Sequence, residues 1–187
     1  MLEKLIHLDK NVFIFLNGLG SETYDSLWLG ITNQINWTPL FLIIFYLLQK
    51  KLGWKKFGFY ILFTAVLILV CDQTTNLFKI YFQRIRPCND DEIKSLIRIV
   101  KSSDTFSFFS GHAANSMATT VFAFLILKHY NQRIYSLFLF PLIFAYSRIY
   151  LGMHFPGDII TGYLCGALFG FVFYKMYLKY FLVSNAL

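Results

Sequence analysis

Residues 57–83 read FGFYILFTAVLILVCDQTTNLFKIYFQ, and Asp72 and Lys79 are the only charged residues among them. A helix that crosses the hydrocarbon core of a bilayer needs about 20 mainly apolar residues. This stretch is long enough, so it predicts a spanning helix with an acid inside the membrane and a lysine near one end. We interpret Asp72 as a structural residue that either pairs with Lys79 or forms a polar contact between helices, although an acid at this depth is also a functional candidate.

Four further apolar stretches follow or precede this one, and residues 2–18 have the pattern of an amphipathic helix that ends at Gly18 and Gly20. The sequence therefore predicts an all-α fold, a polytopic transmembrane helix bundle with five spans and an N-terminal interfacial helix. If residues 2–18 also cross the bilayer, the number of spans becomes six. The four further predicted spans are residues 26–49, 111–127, 134–151 and 156–182.

The composition indicates one membrane domain. The chain is 57% hydrophobic and 14% charged, with a mean hydropathy of +0.54, whereas a soluble domain carries about 25% charged residues. We therefore expect a single integral membrane domain over residues 1–187. The net charge of +7 does not indicate a nucleic-acid partner, because the cations lie between apolar runs. Cys71, Cys88 and Cys165 form neither a disulfide framework nor a metal-binding pattern.

The distribution of basic residues predicts the orientation of the chain. Cytoplasmic loops carry an excess of Lys and Arg, and with five spans three basic regions fall on one side. The opposite side, which includes residues 83–110 and 153–157, then faces the periplasm or exterior of the inner (cell) membrane. The basic residues are Lys50, Lys51, Lys55, Lys56, Lys128, Arg133, Lys175 and Lys179.

Lys79 and Arg86 are seven residues apart, close to two helical turns, so they share a face if the helix continues that far. Pro87 is expected to end the helix, since the residue before proline disfavours the helical conformation. Two cations on one face at a helix end can bind an oxyanion. The alternative is that both side chains merely reach the lipid headgroups.

Ser110, Gly111 and His112 stand where the third predicted span begins. Serine is a good N-cap, and the free backbone N–H groups at a helix start bind phosphate oxygens readily. Glycine allows a ligand to approach the backbone, and His112 beside it is suited to protonating a departing alkoxide or phosphate. An ordinary capped turn is the alternative for this tripeptide alone.

Arg148 ends the fourth predicted span, His154 follows it by six residues, and Asp158 lies four residues beyond His154. Asp158 can accept the ring N–H of His154, which fixes the tautomer and leaves the other ring nitrogen free to attack. This is the arrangement of a catalytic triad with histidine as the nucleophile. A polar turn at the membrane interface is the alternative.

In this order, the three motifs resemble those of the type-2 phosphatidic acid phosphatase family, membrane relatives of the vanadium haloperoxidases. The family pattern is Lys-x6-Arg-Pro, Pro-Ser-Gly-His and Ser-Arg-x5-His-x3-Asp. This chain reads KIYFQRIRP, FSGH and SRIYLGMHFPGD, so the motif-bearing core covers residues 79–158. Phe109 stands where the family usually has proline, and we expect this change to loosen the entry to the helix without removing a chemical group.

The resemblance implies a role for each motif residue. His154 attacks phosphorus and forms a phosphohistidine, Asp158 orients it, and His112 protonates the leaving group before water releases phosphate. No metal or other cofactor is expected. The residues implied to hold the phosphate oxygens are Lys79, Arg86, Ser110, Gly111 and Arg148.

The expected function is metal-independent hydrolysis of a lipid monophosphate or diphosphate at the outer leaflet. The substrate is a phospholipid or polyprenyl phosphate from the bilayer, and the candidates are undecaprenyl diphosphate, phosphatidylglycerophosphate, phosphatidate and lipid A phosphates. One alternative is a lipid phosphotransferase, and another is a lipid-phosphate binder or transporter without hydrolysis. No oligomeric state is predicted.

Two further features carry structural predictions. Gly162, Gly166 and Gly170 recur at every fourth position in the fifth predicted span, which indicates a helix face where a neighbouring backbone approaches closely. The loop 88–109 mixes acidic and basic residues, and we interpret these charges as solvated. The alternative is that they recognise a lipid headgroup.

Overall fold

The structure is a computed structural model that describes residues 2–128 and 132–184, and these ranges contain six α-helices and no strand. Short 3₁₀ segments join several of the helices. Because these ranges contain helices and no strand, the predicted all-α class is confirmed. The α-helices are α1 (Leu2–Gly18), α2 (Asp25–Thr32), α3 (Thr38–Phe82), α4 (Gly111–Leu127), α5 (Leu139–Tyr150) and α6 (Pro156–Ser184).

Helix α3 has 45 residues and is broken at Gly53, which has φ 71° and ψ 165°. Glycine adopts this positive φ without the steric cost that a side chain would impose. A straight helix of this length would reach about 68 Å, more than twice the hydrocarbon thickness of about 30 Å. The break therefore divides α3 into two helical segments, and the second contains the predicted span 57–83 except for its last residue, because the helix ends at Phe82.

The predicted first span, residues 26–49, is wrong as a single helix. Helix α2 ends at Thr32, Asn33 is extended, and a 3₁₀ segment at Gln34–Trp37 leads into α3. The side chain of Asn33 accepts a hydrogen bond from the backbone N–H of Ile35 (3.1 Å). Asparagine competes with the helix for backbone groups in this way, so it separates the two helices.

The predicted fourth span, residues 134–151, also begins irregularly. Residues Gln132–Phe138 form a 3₁₀ segment, and the α-helix α5 starts only at Leu139. Within the described residues, Gln34–Asn89 and Pro156–Tyr180 are long and apolar enough to cross a membrane, and Gly111–Leu127 is a shorter apolar helix. The number of five spans stays a prediction.

Helices α4 and α6 pack at close range, as the glycine repeat predicts. A Cβ added at Gly166 would overlap the backbone carbonyl oxygen of Ala114, and one added at Gly162 would lie 2.7 Å from the Ser110 carbonyl oxygen. Only glycine permits this approach. This contact places the start of α4 next to the start of α6. The Ser110–His112 motif lies at the first of these helix starts, and the motif that ends at Asp158 lies at the second.

Helix α1 docks on the same end of the bundle. Phe13 is fully buried and meets Phe155 edge to face, with ring centroids 5.3 Å apart. The amide nitrogen of Asn17 donates to the backbone carbonyls of Ile149 and Tyr150 (both 3.0 Å) at the end of α5, and to that of Arg98 (3.1 Å). The helix predicted at residues 2–18 is confirmed, and it forms part of the wall behind the motifs.

The interpretation of loop 88–109 as solvated is wrong for several of its charges. The Lys10 ammonium of α1 lies 2.7 Å from the Asp90 carboxylate. The Arg98 guanidinium donates to both carboxylate oxygens of Asp25 on α2 (2.9 and 3.0 Å). These ion pairs connect the loop to α1 and α2. The partners are more than 70 residues apart in the chain, so the sequence does not show that they meet.

Candidate active site

One end of the bundle contains a cavity of about 450 Å³ between α3, α4 and α5. Side chains from all three motifs reach it, although they are spread over 76 residues of sequence from Lys79 to His154. The three motifs therefore meet at one cavity, and the outward orientation of this end of the bundle stays a prediction. The motif residues that line the cavity are Lys79, Arg86, Gly111, His112, Arg148 and His154.

Lys79 and Arg86 meet by a different route from the one predicted. Helix α3 ends at Phe82, and Gln83 adopts a left-handed conformation (φ 45°, ψ 33°), so the two cations do not share a helix face. The chain then runs extended through Arg86 into the 3₁₀ turn Pro87–Asn89. A left-handed residue is a common helix stop, and here it turns Arg86 back toward the cavity.

Arg86 is held in place by a dense set of hydrogen bonds. Its Nε and Nη2 donate to the carbonyl oxygen (2.7 Å) and hydroxyl (2.8 Å) of Thr105, and its Nη1 donates to the carbonyl oxygen of Met153 (2.9 Å). The same Nη1 lies 3.0 Å from Nε2 of His154. Arg86 is therefore a rigid cation directly beside the predicted nucleophile, and Thr105 is a partner that the sequence did not single out.

The start of α4 has the predicted capped geometry. The Ser110 hydroxyl accepts from the backbone N–H of Ala113 (3.4 Å), and Ser110 is completely buried. Gly111 and His112 follow it on the cavity wall, where the first backbone N–H groups of a helix lack intrahelical partners. The His112 ring stacks on Phe144 of α5 at a centroid distance of 5.1 Å.

Phe109 does not loosen the entry to α4, contrary to the expectation from its replacement of proline. Its side chain is fully buried and meets Phe78 edge to face, with ring centroids 5.3 Å apart. Aromatic pairs of this geometry stabilise a fold beyond the area that they bury. The contact fixes the loop against α3 just before Ser110.

Arg148 reaches the cavity from the last turn of α5. Its Nη1 donates to the hydroxyl of Thr32 (2.7 Å), the last residue of α2, while its buried Nε has no protein partner. A buried guanidinium N–H without an acceptor costs free energy. The unpaired donor is thus available to an anion in the cavity, and Thr32 is a second support that sequence reasoning missed.

His154 and Asp158 meet behind the cavity wall, as predicted. Nδ1 of His154 lies 3.5 Å from the Asp158 carboxylate and 3.3 Å from the hydroxyl of Ser107, which itself donates to Asp158 (2.5 Å). With Nδ1 protonated toward these acceptors, Nε2 carries the lone pair. The ring therefore presents its unprotonated nitrogen on the side where Arg86 and the cavity lie.

Burial determines the protonation of His154. Desolvation lowers the pKa of His154 to about 4, and the hydrogen bond to Asp158 and its negative charge oppose this shift without cancelling it. The imidazole is consequently neutral near pH 7. A neutral ring is the form that can act as a nucleophile.

Arg84 and Asp9 lie behind Asp158, and neither residue was predicted to have a role. Nη1 of Arg84 donates to Oδ1 of Asp158, and its Nη2 donates to Oδ2 of Asp9 on α1 (both 2.7 Å). The other oxygen of Asp9 accepts from the backbone N–H of Gly157 (2.8 Å). The only sequence signal was the position of Arg84 inside the first motif.

Away from these residues the cavity continues as a groove between α3, α4 and α5. Polar side chains of α3 and α4, among them Asp72, Thr75 and Asn115, line this groove together with aromatic and aliphatic side chains. The site can thus accept a phosphate at its end and a partly apolar group along the helices. The apolar lining includes Trp37, Phe41, Ile44, Phe45, Tyr60, Ala123, Leu137 and Phe140.

The amino-acid sequence is similar to those of known proteins. Residues 53–181 match the family model of the PAP2 superfamily. A lipid A 4'-phosphatase of Bacteroides thetaiotaomicron is 33% identical over 93% of this chain and 79% of that protein. A lipid A 4'-phosphatase of Porphyromonas gingivalis is 29% identical over 95% of this chain and 76% of that protein.

The fold has a counterpart among solved structures. The transmembrane PAP2-type phosphatidylglycerolphosphate phosphatase of Bacillus subtilis superposes with a TM-score of 0.73 over 94% of this chain and 87% of that one, at 19% sequence identity. The helical architecture is therefore that of a membrane PAP2 phosphatase. From the match over residues 53–181 and the 33% identity to a lipid A 4'-phosphatase over 79% of that protein's length, the chain belongs to the PAP2 superfamily, as one of its phosphatases.

Proposed function

We propose that this chain hydrolyses a lipid phosphate through a phosphohistidine, and that a lipid A phosphate is its substrate. The observation that carries the proposal is the contact between Nε2 of His154 and the Arg86 guanidinium (3.0 Å) at the end of a cavity that continues as an apolar groove. The names of the two curated relatives favour lipid A among the four candidate lipids. The whole chain would act as one membrane domain, with residues 79–158 as its catalytic core.

The proposed first step transfers the phosphoryl group to the enzyme. Nε2 of His154 attacks phosphorus, the bond between phosphorus and the lipid oxygen breaks, and His112 gives its proton to that oxygen. Lys79, Arg86 and Arg148, with the backbone N–H groups at Gly111, stabilise the phosphoryl oxygens, which is the main contribution to phosphoryl transfer. Ser110 supports this set as the N-cap of α4.

The second step regenerates the enzyme. Water attacks the phosphohistidine, His112 accepts its proton, and the bond between phosphorus and Nε2 breaks to release inorganic phosphate. Asp158 accepts the Nδ1–H of His154 throughout, so it stabilises the positive ring that forms in the first step. No residue in this scheme requires a metal.

Phosphate release from a panel of lipids tests the proposal. Purified protein in detergent with EDTA should release phosphate from lipid A, and faster than from phosphatidylglycerophosphate, phosphatidate or undecaprenyl diphosphate. His154→Ala should lower this rate by about 10³-fold or more, since it removes the nucleophile. Undiminished activity of His154→Ala would overturn the mechanism, and a different preferred lipid would overturn the substrate.

The same panel separates the alternatives. Tight binding of lipid phosphate without phosphate release would indicate a binder or transporter, and phosphorylated lipid products after addition of acceptor lipids would indicate a phosphotransferase. A protein that only binds lipid phosphate would not need His112, His154 and Asp158, because cations alone bind an anion. We therefore propose hydrolysis as the reaction.

We propose that the site faces the periplasm or exterior. The basic residues after the first half of α3 support this orientation, since Lys51 contacts the carbonyl oxygen of Ile126 at the far end of α4 from His112. A membrane-impermeant thiol reagent on intact cells should label Lys94→Cys in the loop after α3. It should not label Lys55→Cys, and the reverse pattern would invert the orientation.

A further inference from the structure

Asp72 lies inside the membrane-spanning part of α3 but is exposed, and it lines the cavity. Its carboxylate accepts a hydrogen bond from Nδ2 of Asn115 on α4 (2.6 Å). Asp72 stands seven residues before Lys79, about 10 Å along the helix, so it lies deeper in the membrane than the phosphate-binding cations. A carboxylate at this depth in the membrane costs free energy, so its presence makes a functional role the default hypothesis.

The polar groups around Asp72 have unused hydrogen-bonding capacity. Thr75 is 2% exposed and lines the cavity, and its hydroxyl has no partner. The side-chain oxygen of Asn115 is likewise buried without a partner. Buried polar atoms of this kind are rare in folded proteins and call for an explanation. Here they surround one polar section of the cavity.

The position of this section relative to His112 indicates its ligand. Asn115 follows His112 by three residues on α4, so both lie on one helix face. In the proposed reaction His112 protonates the lipid oxygen that leaves phosphorus. The part of the substrate that carries this oxygen therefore lies between His112 and the pair of Asp72 and Asn115.

We propose that Asp72, Asn115 and Thr75 form a subsite for an alcohol portion that carries hydrogen-bond donors, as a sugar or a glycerol does. Hydroxyl or amide N–H groups next to the phosphate ester donate to Asp72 and to the free oxygens of Asn115 and Thr75. A purely aliphatic phosphate has nothing to offer these acceptors. This inference rests on the proposed function, because it names the class of substrate for the same site.

The test compares two phosphates in wild type and in Asp72→Leu. Lipid A phosphate carries donors beside its ester, and dodecyl phosphate carries none. Dodecyl phosphate is followed as a substrate if it turns over, and as a competitive inhibitor if it does not. Asp72→Leu should lower kcat/KM for lipid A by roughly 10- to 100-fold and change the value for dodecyl phosphate, kcat/KM or the inhibition constant, by less than threefold.

Gln73→Leu is the matched control, since Gln73 is the neighbouring polar residue on α3 and does not line the cavity. It should change neither value, and Asn115→Leu should repeat the selective loss if Asp72→Leu does not fold. An equal loss for both phosphates would overturn the subsite in favour of a helix-packing role, and so would no loss for either.

Two further arms complete the test. Phosphatidylglycerophosphate in place of lipid A distinguishes a glycerol from a sugar as the donor-bearing group, because only the fitting one should show the selective loss. If wild type releases no phosphate from any lipid, the proposed function fails. The inhibition constants of sugar phosphate lipids and dodecyl phosphate then still decide the subsite, since selective weakening in Asp72→Leu supports it and equal weakening overturns it.

A different observation carries a second inference, about Asp9. This residue lies on α1, outside the matched segment 53–181, yet its carboxylate contacts both Arg84 and the backbone of Gly157. Arg84 in turn contacts Asp158, and its guanidinium lies over the ring of Phe155 at 4.2 Å. The geometry points to Asp9 as a positioning residue that holds Arg84, and through it Asp158 and His154.

A split between kcat and KM tests this role. Asp9→Asn should lower kcat about tenfold and leave KM within threefold, because the cations that bind phosphate are untouched. Lys10→Gln is the matched control: it breaks the ion pairs from α1 to Asp90 and Glu92 and should leave kcat nearly unchanged. Equal losses of kcat in both variants would overturn the inference, since they would indicate only the docking of α1.

Discussion

The two sides of the cavity differ in how fully their polar groups are paired. On the His154 side, both oxygens of Asp158 accept hydrogen bonds, from Arg84 on one and from Ser107 and the backbone N–H of Phe155 on the other. On the groove side, the hydroxyl of Thr75 and the side-chain oxygen of Asn115 have no partner. A nucleophile needs fixed geometry, whereas a substrate pocket needs unsatisfied groups that the substrate completes.

This contrast agrees with how enzymes use preorganisation. Groups that act in every catalytic cycle gain from being oriented before the substrate arrives. Groups that recognise one substrate gain from being unpaired, because an analogue without the complementary donor leaves them unsatisfied. Substitutions on the two sides should therefore have different consequences for turnover, selectivity and stability.

The largest effect is expected at Asp158. Asp158→Asn keeps the size of the side chain but replaces an acceptor oxygen with a donor amide, which conflicts with the donors around it. The His154 ring would then lose the tautomer that presents Nε2, and kcat should fall by about 10³-fold with little change in KM. Steady-state kinetics on lipid A check this, and a loss below tenfold would contradict an orienting role for Asp158.

A smaller but substantial effect is expected at Arg86. Lysine keeps the charge but cannot donate to Thr105, Met153 and an incoming phosphate at once, because it lacks the planar set of donors. Arg86→Lys should lower kcat/KM by roughly 10²-fold. Arg133→Lys, an exposed site near the start of the 3₁₀ segment before α5, serves as the matched control and should stay within twofold. Equal kinetics of the two variants would mean that charge alone suffices at position 86.

The parts of the site that could be predicted are those that the sequence marks by helix-end signals. The motif residues Gly111 and Arg148 were placed correctly at helix ends and His154 in the turn before α6, because capping serine, proline and basic residues mark such ends in the sequence. Ser107 and Thr32 were missed, since a lone hydroxyl in a loop or at a helix end carries no signal of what it contacts. Their partners lie 51 and 116 residues away in the chain.

The fold shows the same limit. Hydrophobic length identified the apolar part of α3 and the helix α6, which are long and apolar enough to cross a membrane, and the glycine repeat identified the face of α6 that packs on α4. The break at Asn33 and the stop at Gln83 depend on single backbone conformations, which an apolar pattern does not encode. The path of Arg86 into the cavity follows from the stop at Gln83. The prediction that Lys79 and Arg86 share a helix face was therefore wrong, although both residues line the same cavity.

The low pKa of His154 predicts how acid affects stability. The folded protein keeps His154 neutral down to about pH 4, whereas the unfolded chain protonates a histidine near pH 6.5. Between these values the unfolded state binds more protons, so the free energy of unfolding should fall as pH is lowered from 6.5 toward 4. His154→Gln should weaken this dependence. Thermal midpoints between pH 4.5 and 7.5 check it, and parallel curves for the two proteins would contradict a neutral buried His154.

The smallest effect, and the most direct test of the comparison, is removal of one hydroxyl from each side. Ser107→Ala removes one of the two hydrogen bonds that Oδ2 of Asp158 accepts and leaves it with only the backbone N–H of Phe155, so it should lower the free energy of unfolding by about 1–3 kcal/mol. Thr75→Val removes a buried hydroxyl that has no protein partner and keeps the shape of the side chain. It should therefore raise the free energy of unfolding by up to about 1 kcal/mol.

Thermal unfolding of both variants in the same detergent measures the difference. Opposite signs are expected because the two hydroxyls differ in pairing and not in burial: both residues are at most 2% exposed. If Thr75→Val were destabilised as much as Ser107→Ala, the Thr75 hydroxyl would have to be paired within the fold. The groove would then be as fully satisfied as the His154 side, and its polar groups would have nothing left to offer a substrate.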